Sequence, residues 1–282
     1  MADLAVYYIL DFKFDMKQNS KLAIQWIKVG GRPETKFDIM KNGKPIPQAD
    51  TEAGTHTDSS MLAAHCLIAK HLLFGVITKK SLATKLTRAQ VLVLSNVHFM
   101  DAEEVGTIRD WGHSGGALYA RGGTSLVNQR GQLQPDFLLA DVFGVSIAKP
   151  DGSERQHYIA PTSTDRERFP GWDAKYPAYI RGPGMEVCAR SGTTALATTT
   201  MPWPPSAPRE FSSIHRNPPW TPTEQPEVVL NTIGKGRGIY CAPAQWQRTE
   251  VPSMHRRSHL HSAVPRVAVN VRTKLSLKIK QK

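Results

Sequence analysis

The sequence has no apolar run long enough to cross a membrane as a helix. Such a helix needs about 20 predominantly apolar residues, and the apolar runs of this chain are all much shorter. The first residues, MADLAVYY, also lack the basic region and long apolar core of a secretory signal. Both absences predict a soluble protein that stays in the cytoplasm and has no membrane partner.

Cysteine is scarce as well. Cys66, Cys188 and Cys241 are the only three in 282 residues, and their spacing fits neither a disulfide framework nor a zinc site. We therefore expect a reducing compartment. Because a free cysteine behaves as a small apolar side chain, all three are predicted to be buried structural thiols.

Acidic residues are almost missing from one part of the chain, residues 243–282. This stretch has nine Lys and Arg and a single acid, Glu250, whereas the rest has 27 bases and 23 acids. The net charge of +12 therefore belongs mainly to a tail, which argues against nucleic acid as the partner of the chain's body. In the tail, His255, His259 and His261 have arginines between them and no carboxylate cluster nearby. We predict no metal and no cofactor.

Strand and helix patterns alternate over the first 120 residues. Four short apolar runs without polar alternation are typical of strands buried on both faces; they are LAVYYIL, FGVIT, VLVLSNV and ALYA. Helical spacing of apolar residues occurs at 59–73 and at 101–113, where Asp101 and Glu104 have the spacing of a capping box. The alternation predicts an α/β fold with a doubly wound, mostly parallel sheet.

The later part of the chain is predicted to be rich in strands. PDFLLADVFGV reads as a helix that ends at Gly144, and β-like pieces follow it; they are HYIA, MEVCA, TTALATTT and the hairpin EVVLNTIGKGRGIYCA. We expect one domain at residues 1–242, with an irregular excursion at 15–57 and a proline-rich surface loop at 201–226. Residues 243–282 are expected to form a basic, poorly structured tail.

Several of these segments together resemble a known domain. VLVLSNVHFMDAEEVGTIRDWGHSGGALYARGGTSLV, then FLLADVFGVSI and PEVVLNTIGKGRGIYCA, follow one another as in the β-galactosidase trimerisation domain. This is the glutamine amidotransferase-like, flavodoxin-like accessory domain of bacterial glycoside hydrolases. The resemblance covers residues 2–241. It implies a domain that builds oligomers beside a separate catalytic barrel, with further copies of the chain or glycoside hydrolase subunits as its partners.

This resemblance carries an expectation about activity. The catalytic carboxylates of such hydrolases lie in the barrel, and no barrel sequence precedes Met1. We therefore expect a non-catalytic domain that is detached from its barrel, a remnant of a longer glycosidase gene. The alternatives left open are an enzyme associated with glycoside hydrolysis and a carbohydrate-binding module.

The residues themselves offer little catalytic chemistry. An amidotransferase-like fold would place a nucleophilic cysteine on the turn after a central strand. Here that turn contains Gly122, Gly123 and Thr124, without a cysteine, and Ser125 is not set in a G-x-S-x-G elbow. Glycosidases need two facing carboxylates, but Glu103 and Glu104 are adjacent at a helix start, where acids favour the helix dipole. The sequence predicts a vacant nucleophile turn.

One loop has residues suited to recognition. Trp203, His215 and Trp220 lie within the proline-rich stretch. Aromatic faces with a few polar groups can bind a sugar, and aromatic side chains are also enriched at the centres of protein interfaces. We therefore name these three residues as candidate contacts with a carbohydrate or with a partner subunit.

Overall fold

A computed structural model describes residues 3–9, 40–41, 44–45, 56–128, 132–149, 157–162, 172–180, 185–203 and 217–243. The helices are α1 (His56–Ala69), α2 (Leu82–Leu86), α3 (Ala102–His113) and α4 (Ala140–Phe143), with a 3-10 turn at Lys79–Ser81 before α2. The first strands are β1 (Leu4–Tyr7), β2 (Met40–Lys41), β3 (Lys44–Pro45), β4 (Gly75–Ile77), β5 (Val91–Ser95), β6 (Ala117–Arg121) and β7 (Val145–Lys149). The later strands are β8 (His157–Pro161), β9 (Ala178–Ile180), β10 (Glu186–Ala189), β11 (Thr194–Pro202), β12 (Pro219–Ile233) and β13 (Gly236–Cys241).

Nine of these strands form one sheet in the order β4-β1-β5-β6-β13-β12-β11-β8-β9. The first five are parallel to one another, and each later neighbour pairs antiparallel. Two short antiparallel ribbons, β7 with β10 and β2 with β3, complete the described strands. The expected α/β fold with a large, mostly parallel sheet and a β-rich C-terminal part is therefore confirmed.

The sheet buries an apolar core on each face. Alternate residues of a strand point to opposite faces, and in β5 the side chains of Val91 and Val93 enter one core while those of Leu92 and Leu94 enter the other. Helix α1 contributes Ala63 and Leu67 to the first core, whereas α2, α3 and α4 contribute to the second. The apolar runs of the sequence lack alternation because both faces of these strands are covered.

Helix α3 begins as the capping-box spacing predicts. The Asp101 carboxylate accepts the Glu104 amide hydrogen at 2.8 Å, and the Glu104 carboxylate accepts that of Asp101 at the same distance. Lys79 adds an ion pair to Asp101, with 2.7 Å between Nζ and Oδ2. The helix ends where Gly115 takes a φ of 126°.

The helix predicted for PDFLLADVFGV is mostly a turn. Only Ala140–Phe143 are helical, and Gly144 caps them with a φ of 72°, as expected. Before them, the Asp136 carboxylate accepts the amide hydrogens of Phe137 and Ile147, at 2.8 and 3.1 Å. An aspartate that bonds to nearby backbone competes with helix formation, so the helix is limited to one turn.

The proline-rich stretch 201–226 is predicted to be a loop, and this is wrong at both of its described ends, where Met201 and Pro202 end β11 and residues 219–226 belong to β12. Strand β12 begins at Pro219 and pairs with β11, with Pro222 opposite Thr200 and Pro226 opposite Thr198. The pairing of β12 with β13, its neighbour on the other side, begins only at Val228. Because proline lacks an amide hydrogen, it is tolerated where one side of a strand has no ladder partner. Residues 204–216 lie outside the described part of the chain.

Several other predictions fall partly or wholly outside the described residues. They concern most of the excursion at 15–57 and the tail after residue 243 with its three histidines. The sequence analysis predicts no strand at the positions of β7 and β9. The thiols of Cys66 and Cys241 are buried as expected, but Cys188, on the β10 ribbon, is exposed, and the prediction for it is wrong. Within the described residues, no helix is both long and apolar enough to cross a membrane.

Candidate functional site at the carboxyl edge of the parallel strands

The carboxyl ends of β1, β5, β6 and β13 meet at one edge of the sheet, because these strands are parallel. The chain leaves β1 for β4 on one side and then returns past β1 to β5 on the other. Open α/β sheets bind ligands at such a reversal of strand order, outside the carboxyl ends of the strands. A ligand site is therefore expected at this edge of the sheet.

His56, the first residue of α1, fills the gap between the ends of β1 and β5. Its Nδ1 lies 2.8 Å from the backbone oxygen of Ser95, at the end of β5. Its Nε2 accepts the amide hydrogen of Ile9, just past β1, at 3.1 Å. The ring also stacks on that of Tyr8, with the centroids 5.2 Å apart. Burial lowers the pKa of His56 below its ordinary value.

A second histidine lies in the loop after β5. His98 Nε2 is 2.8 Å from Asn96 Oδ1, which also accepts the Gly123 amide hydrogen at 3.0 Å. Because that oxygen is an acceptor, His98 Nε2 carries the ring proton. Burial first, and the charge of His56 second, lower the pKa of His98 to about 4. Asn96 itself takes the left-handed φ of 54°, which is uncommon outside glycine.

The turn after β6 holds the position predicted for a vacant nucleophile. Thr124 Oγ1 donates to the backbone oxygen of Arg121 at 2.6 Å and accepts the Val97 amide hydrogen at 3.2 Å. Gly123 is close to the His98 ring, since a Cβ there would lie 3.0 Å from His98 Nε2. The turn is thus bonded to the loop after β5, and it presents no nucleophilic side chain of its own at Gly122 or Gly123.

Ser125, the only other hydroxyl at this turn, is not placed for attack on a substrate. The residue is fully buried with a φ of 62°. Its Oγ accepts the amide hydrogen of Leu139, just before α4, at 3.2 Å. The hydroxyl therefore fixes the approach of α4 to the turn, and neither His56 nor His98 bonds to it.

Two carboxylates near this edge, those of Glu104 and Asp141, have structural partners. Glu104 is buried, accepts the hydroxyl hydrogen of Tyr7 and belongs to the α3 cap. Burial raises the pKa of its carboxyl group. Asp141 on α4 forms a two-pronged pair with Arg109 on α3, with distances of 2.8 and 3.2 Å. Among the described residues, no group of three or more His, Cys, Asp and Glu side chains is arranged to hold a metal ion.

Trp203 and Trp220 are brought together at the same edge of the sheet. Trp203 follows the carboxyl end of β11, which runs in the same direction as β13, and Trp220 is near the start of β12. The two indoles meet edge to face with centroids 4.1 Å apart. They remain 36% and 59% exposed. The third predicted contact, His215, lies outside the described residues.

The backbone beneath the tryptophan pair is fixed. The Trp203 amide hydrogen bonds to Pro218 O at 2.8 Å, and the Asn217 side chain donates to Trp203 O at 3.0 Å. The Tyr158 hydroxyl on β8 donates to Asn217 O. Three strands thus hold two indoles that stay open to solvent.

Sequence reasoning found the glycine turn and the tryptophans but missed His56 and His98. One signal was present for His98, since it directly follows the apolar run VLVLSNV, which is predicted to be a buried strand. His56 had no such signal, because it meets the other residues only through folding.

No protein-family model and no curated protein matches the chain. Several solved structures do match the chain. A β-galactosidase from Bacillus circulans sp. alkalophilus matches over 98% of this chain and 31% of its own, with a TM-score of 0.61 and 12% identity. A β-galactosidase from Rahnella sp. R3 gives the same coverage, with a TM-score of 0.59 and 15% identity.

A cytoplasmic protein from Salmonella typhimurium LT2 matches over 81% of this chain and 89% of its own, with a TM-score of 0.51 and 13% identity. The present chain spans less than a third of the length of the two β-galactosidases. At these identities the likeness shows a shared fold. The fold of this chain is thus one that also forms part of bacterial β-galactosidases.

Proposed function

We propose that this chain is a non-catalytic association domain related to the trimerisation domain of bacterial β-galactosidases. The observation that carries the proposal is the fold match, which spans 98% of this chain but only 31% of a β-galactosidase. Such a partial match fits an accessory part of a larger hydrolase. The helices on both faces of the parallel strands also fit a doubly wound, flavodoxin-like or amidotransferase-like arrangement.

The carboxyl edge supports a non-catalytic role. At that edge of a catalytic α/β domain, reactive groups face a space where a substrate can sit. Here the hydroxyls of Thr124 and Ser125 bond to backbone, and Glu104 and Asp141 bond within the fold. We further propose that the chain works apart from a catalytic barrel. The Salmonella protein supports this, since the fold makes up 89% of that chain.

Measurement of mass in solution tests the association. Sedimentation equilibrium of the purified full-length chain should give a multiple of the single-chain mass that dissociates on dilution. A single-chain mass at all concentrations up to about 100 µM, well above the Kd range of stable oligomers, would contradict the proposal.

An assay on nitrophenyl glycosides tests the absence of catalysis. We expect no turnover above the rate of the buffer. Turnover that is lost on a single substitution, such as Glu103→Gln, would instead favour the alternative of an enzyme that acts on glycosyl bonds.

A carbohydrate-binding module is the second candidate function, and the exposed indoles favour it. Trp220 presents more than half of its surface to solvent on a rigid backbone, and aromatic faces of this kind can stack on a sugar ring. Titration with galactose and lactose, followed by tryptophan fluorescence, tests it. A saturable change that is absent from Trp220→Ser would support sugar binding, and an unchanged spectrum would contradict it.

A further inference from the structure

His56 makes hydrogen bonds in two directions that together fix its protonation state. An amide N–H can only donate, so the bond from Ile9 N requires a lone pair on Nε2. A backbone oxygen can only accept, so the 2.8 Å contact with Ser95 O requires a hydrogen on Nδ1. The ring is therefore neutral and in the Nδ1–H form. Ser60 Oγ, 3.3 Å from Nδ1, adds a weaker contact from the next turn of α1.

These bonds join three elements at one point. Ile9 follows β1, Ser95 ends β5, and His56 is the first residue of α1. Ile9 and His56 also stand immediately before and after residues 10–55 in the sequence. The single bond from Ile9 N to His56 Nε2 thus links the two ends of that segment.

Protonation would oppose this bond directly. A hydrogen on Nε2 would face the hydrogen of Ile9 N, so that two donors would point at each other and the amide would lose its acceptor. The Ser95 contact would survive, because Nδ1 keeps its hydrogen. One proton therefore changes the link to β1 while leaving the link to β5.

We propose that His56 is a proton-sensitive latch, which when neutral ties Ile9, just past β1, to the start of α1 and to β5, and when protonated releases the Ile9 amide while Tyr8 N keeps its bond to Ile77 O at 2.9 Å. The acceptor geometry at Nε2 carries the proposal. Burial, which lowers the pKa of His56, sets the release below the ordinary histidine range. The latch is an internal device of the fold and does not depend on the function proposed above.

The groups around the latch affect when it opens. Tyr8, just past β1, stacks on the ring, and His98, in the loop after β5, is close enough for the charges of the two histidines to act on each other. On α1 itself Ser60 is the neighbour, and no carboxylate among the described residues bonds to the ring. A positive charge on His98 would oppose one on His56, so the two protons are taken up in separate steps.

Hydrogen exchange of the segment that contains Ile9 tests the latch. Exchange is measured between pH 4 and pH 8, corrected for the intrinsic rate, and compared with the protonation of His56 followed by NMR of its ring. We expect the protection of the Ile9 amide to fall by about tenfold, the factor for one lost hydrogen bond, in step with protonation of His56. Protection that stays flat while His56 takes up its proton would overturn the proposal.

Two variants separate the histidines. The amide oxygen of His56→Gln can still accept the Ile9 hydrogen but takes up no proton, so its protection should not change over this pH range. His98→Gln should keep the transition. Loss of the pH transition in His98→Gln, with its persistence in His56→Gln, would show that His98 is the titrating group and would overturn the proposal. If His56→Gln does not fold, the wild-type comparison of ring protonation with amide exchange decides alone.

Discussion

At the scale of single residues, the bond between Tyr7 and Glu104 joins β1, the strand next to the sheet's edge strand β4, to α3. Tyr7 is fully buried on β1 and donates its hydroxyl hydrogen to the buried Glu104 carboxylate. Tyr7→Phe removes that donor and leaves a buried carboxylate oxygen without it. We expect a loss of about 1–3 kcal/mol in the free energy of unfolding, measured by urea denaturation.

Tyr176→Phe is the matched control for this change. The same hydroxyl is removed, but Tyr176 is 70% exposed and the contact of its ring with Lys175 does not need the hydroxyl. Its free energy of unfolding should stay within about 0.5 kcal/mol of the wild type. Equal losses in both variants would show that the buried bond contributes nothing specific.

At the scale of elements, helix α3 contains a glycine without a structural need for it. A Cβ at Gly106 would meet nothing within 4 Å. Alanine restricts the unfolded chain more than glycine and suits a helix better, so Gly106→Ala should raise the free energy of unfolding by about 1 kcal/mol. A higher urea concentration at the unfolding midpoint, with an unchanged dependence of the free energy of unfolding on urea, would show this stabilisation.

Gly236, at the start of β13, is the contrasting position. A Cβ there would collide with the backbone oxygens of Gly112 and Gly116, where α3 ends and β6 begins. Gly236→Ala should therefore lower the urea midpoint. A stabilised Gly236→Ala would mean that β13 and the end of α3 are not packed together in this way.

The elements that the sequence predicts well are those fixed by local signals. Strand β5 follows from its apolar run and α3 from its capping box, because each signal acts within a few residues. Strands β7 and β9 were missed, since their ladders form with segments far away in the sequence, β10 and β8. The first half of β12 was missed because its prolines matter only in relation to the position of β13, which no local pattern reveals.

The same limit applies to the candidate site. The glycine turn at 122–124 follows directly from a strand pattern and could be placed at the edge of the sheet in advance. His56 could not be placed, because its partners Ile9 and Ser95 lie 47 and 39 residues away in the sequence. A latch between distant segments has no local sequence pattern that would reveal it.

At the scale of the whole molecule, the antiparallel strands give the carboxyl edge a second feature. Beside the ends of β1, β5 and β6, the end of β11 and the start of β12 hold two indoles open to solvent at the same edge. The side chains of His56, Thr124 and Ser125 at the ends of these strands are already bonded within the fold. The exposed aromatic pair offers an apolar contact of the kind found at the centres of protein interfaces.

The exposed tryptophan pair is a candidate for the contact between copies of the chain. If the tryptophan pair is the centre of the contact between copies, Trp203→Ser with Trp220→Ser should weaken self-association by about tenfold or more, the effect of losing an aromatic hot spot. Sedimentation velocity over a dilution series measures the change, and far-UV circular dichroism checks that the sheet persists.

Leu133→Ser is the control, because Leu133 is 62% exposed outside the sheet and should leave association unchanged. Equal weakening in both variants would point to general surface apolarity instead of a defined contact. Association that persists without the indoles would place the interface elsewhere. The pair would then be the better candidate for a carbohydrate, because its exposure would still call for a ligand.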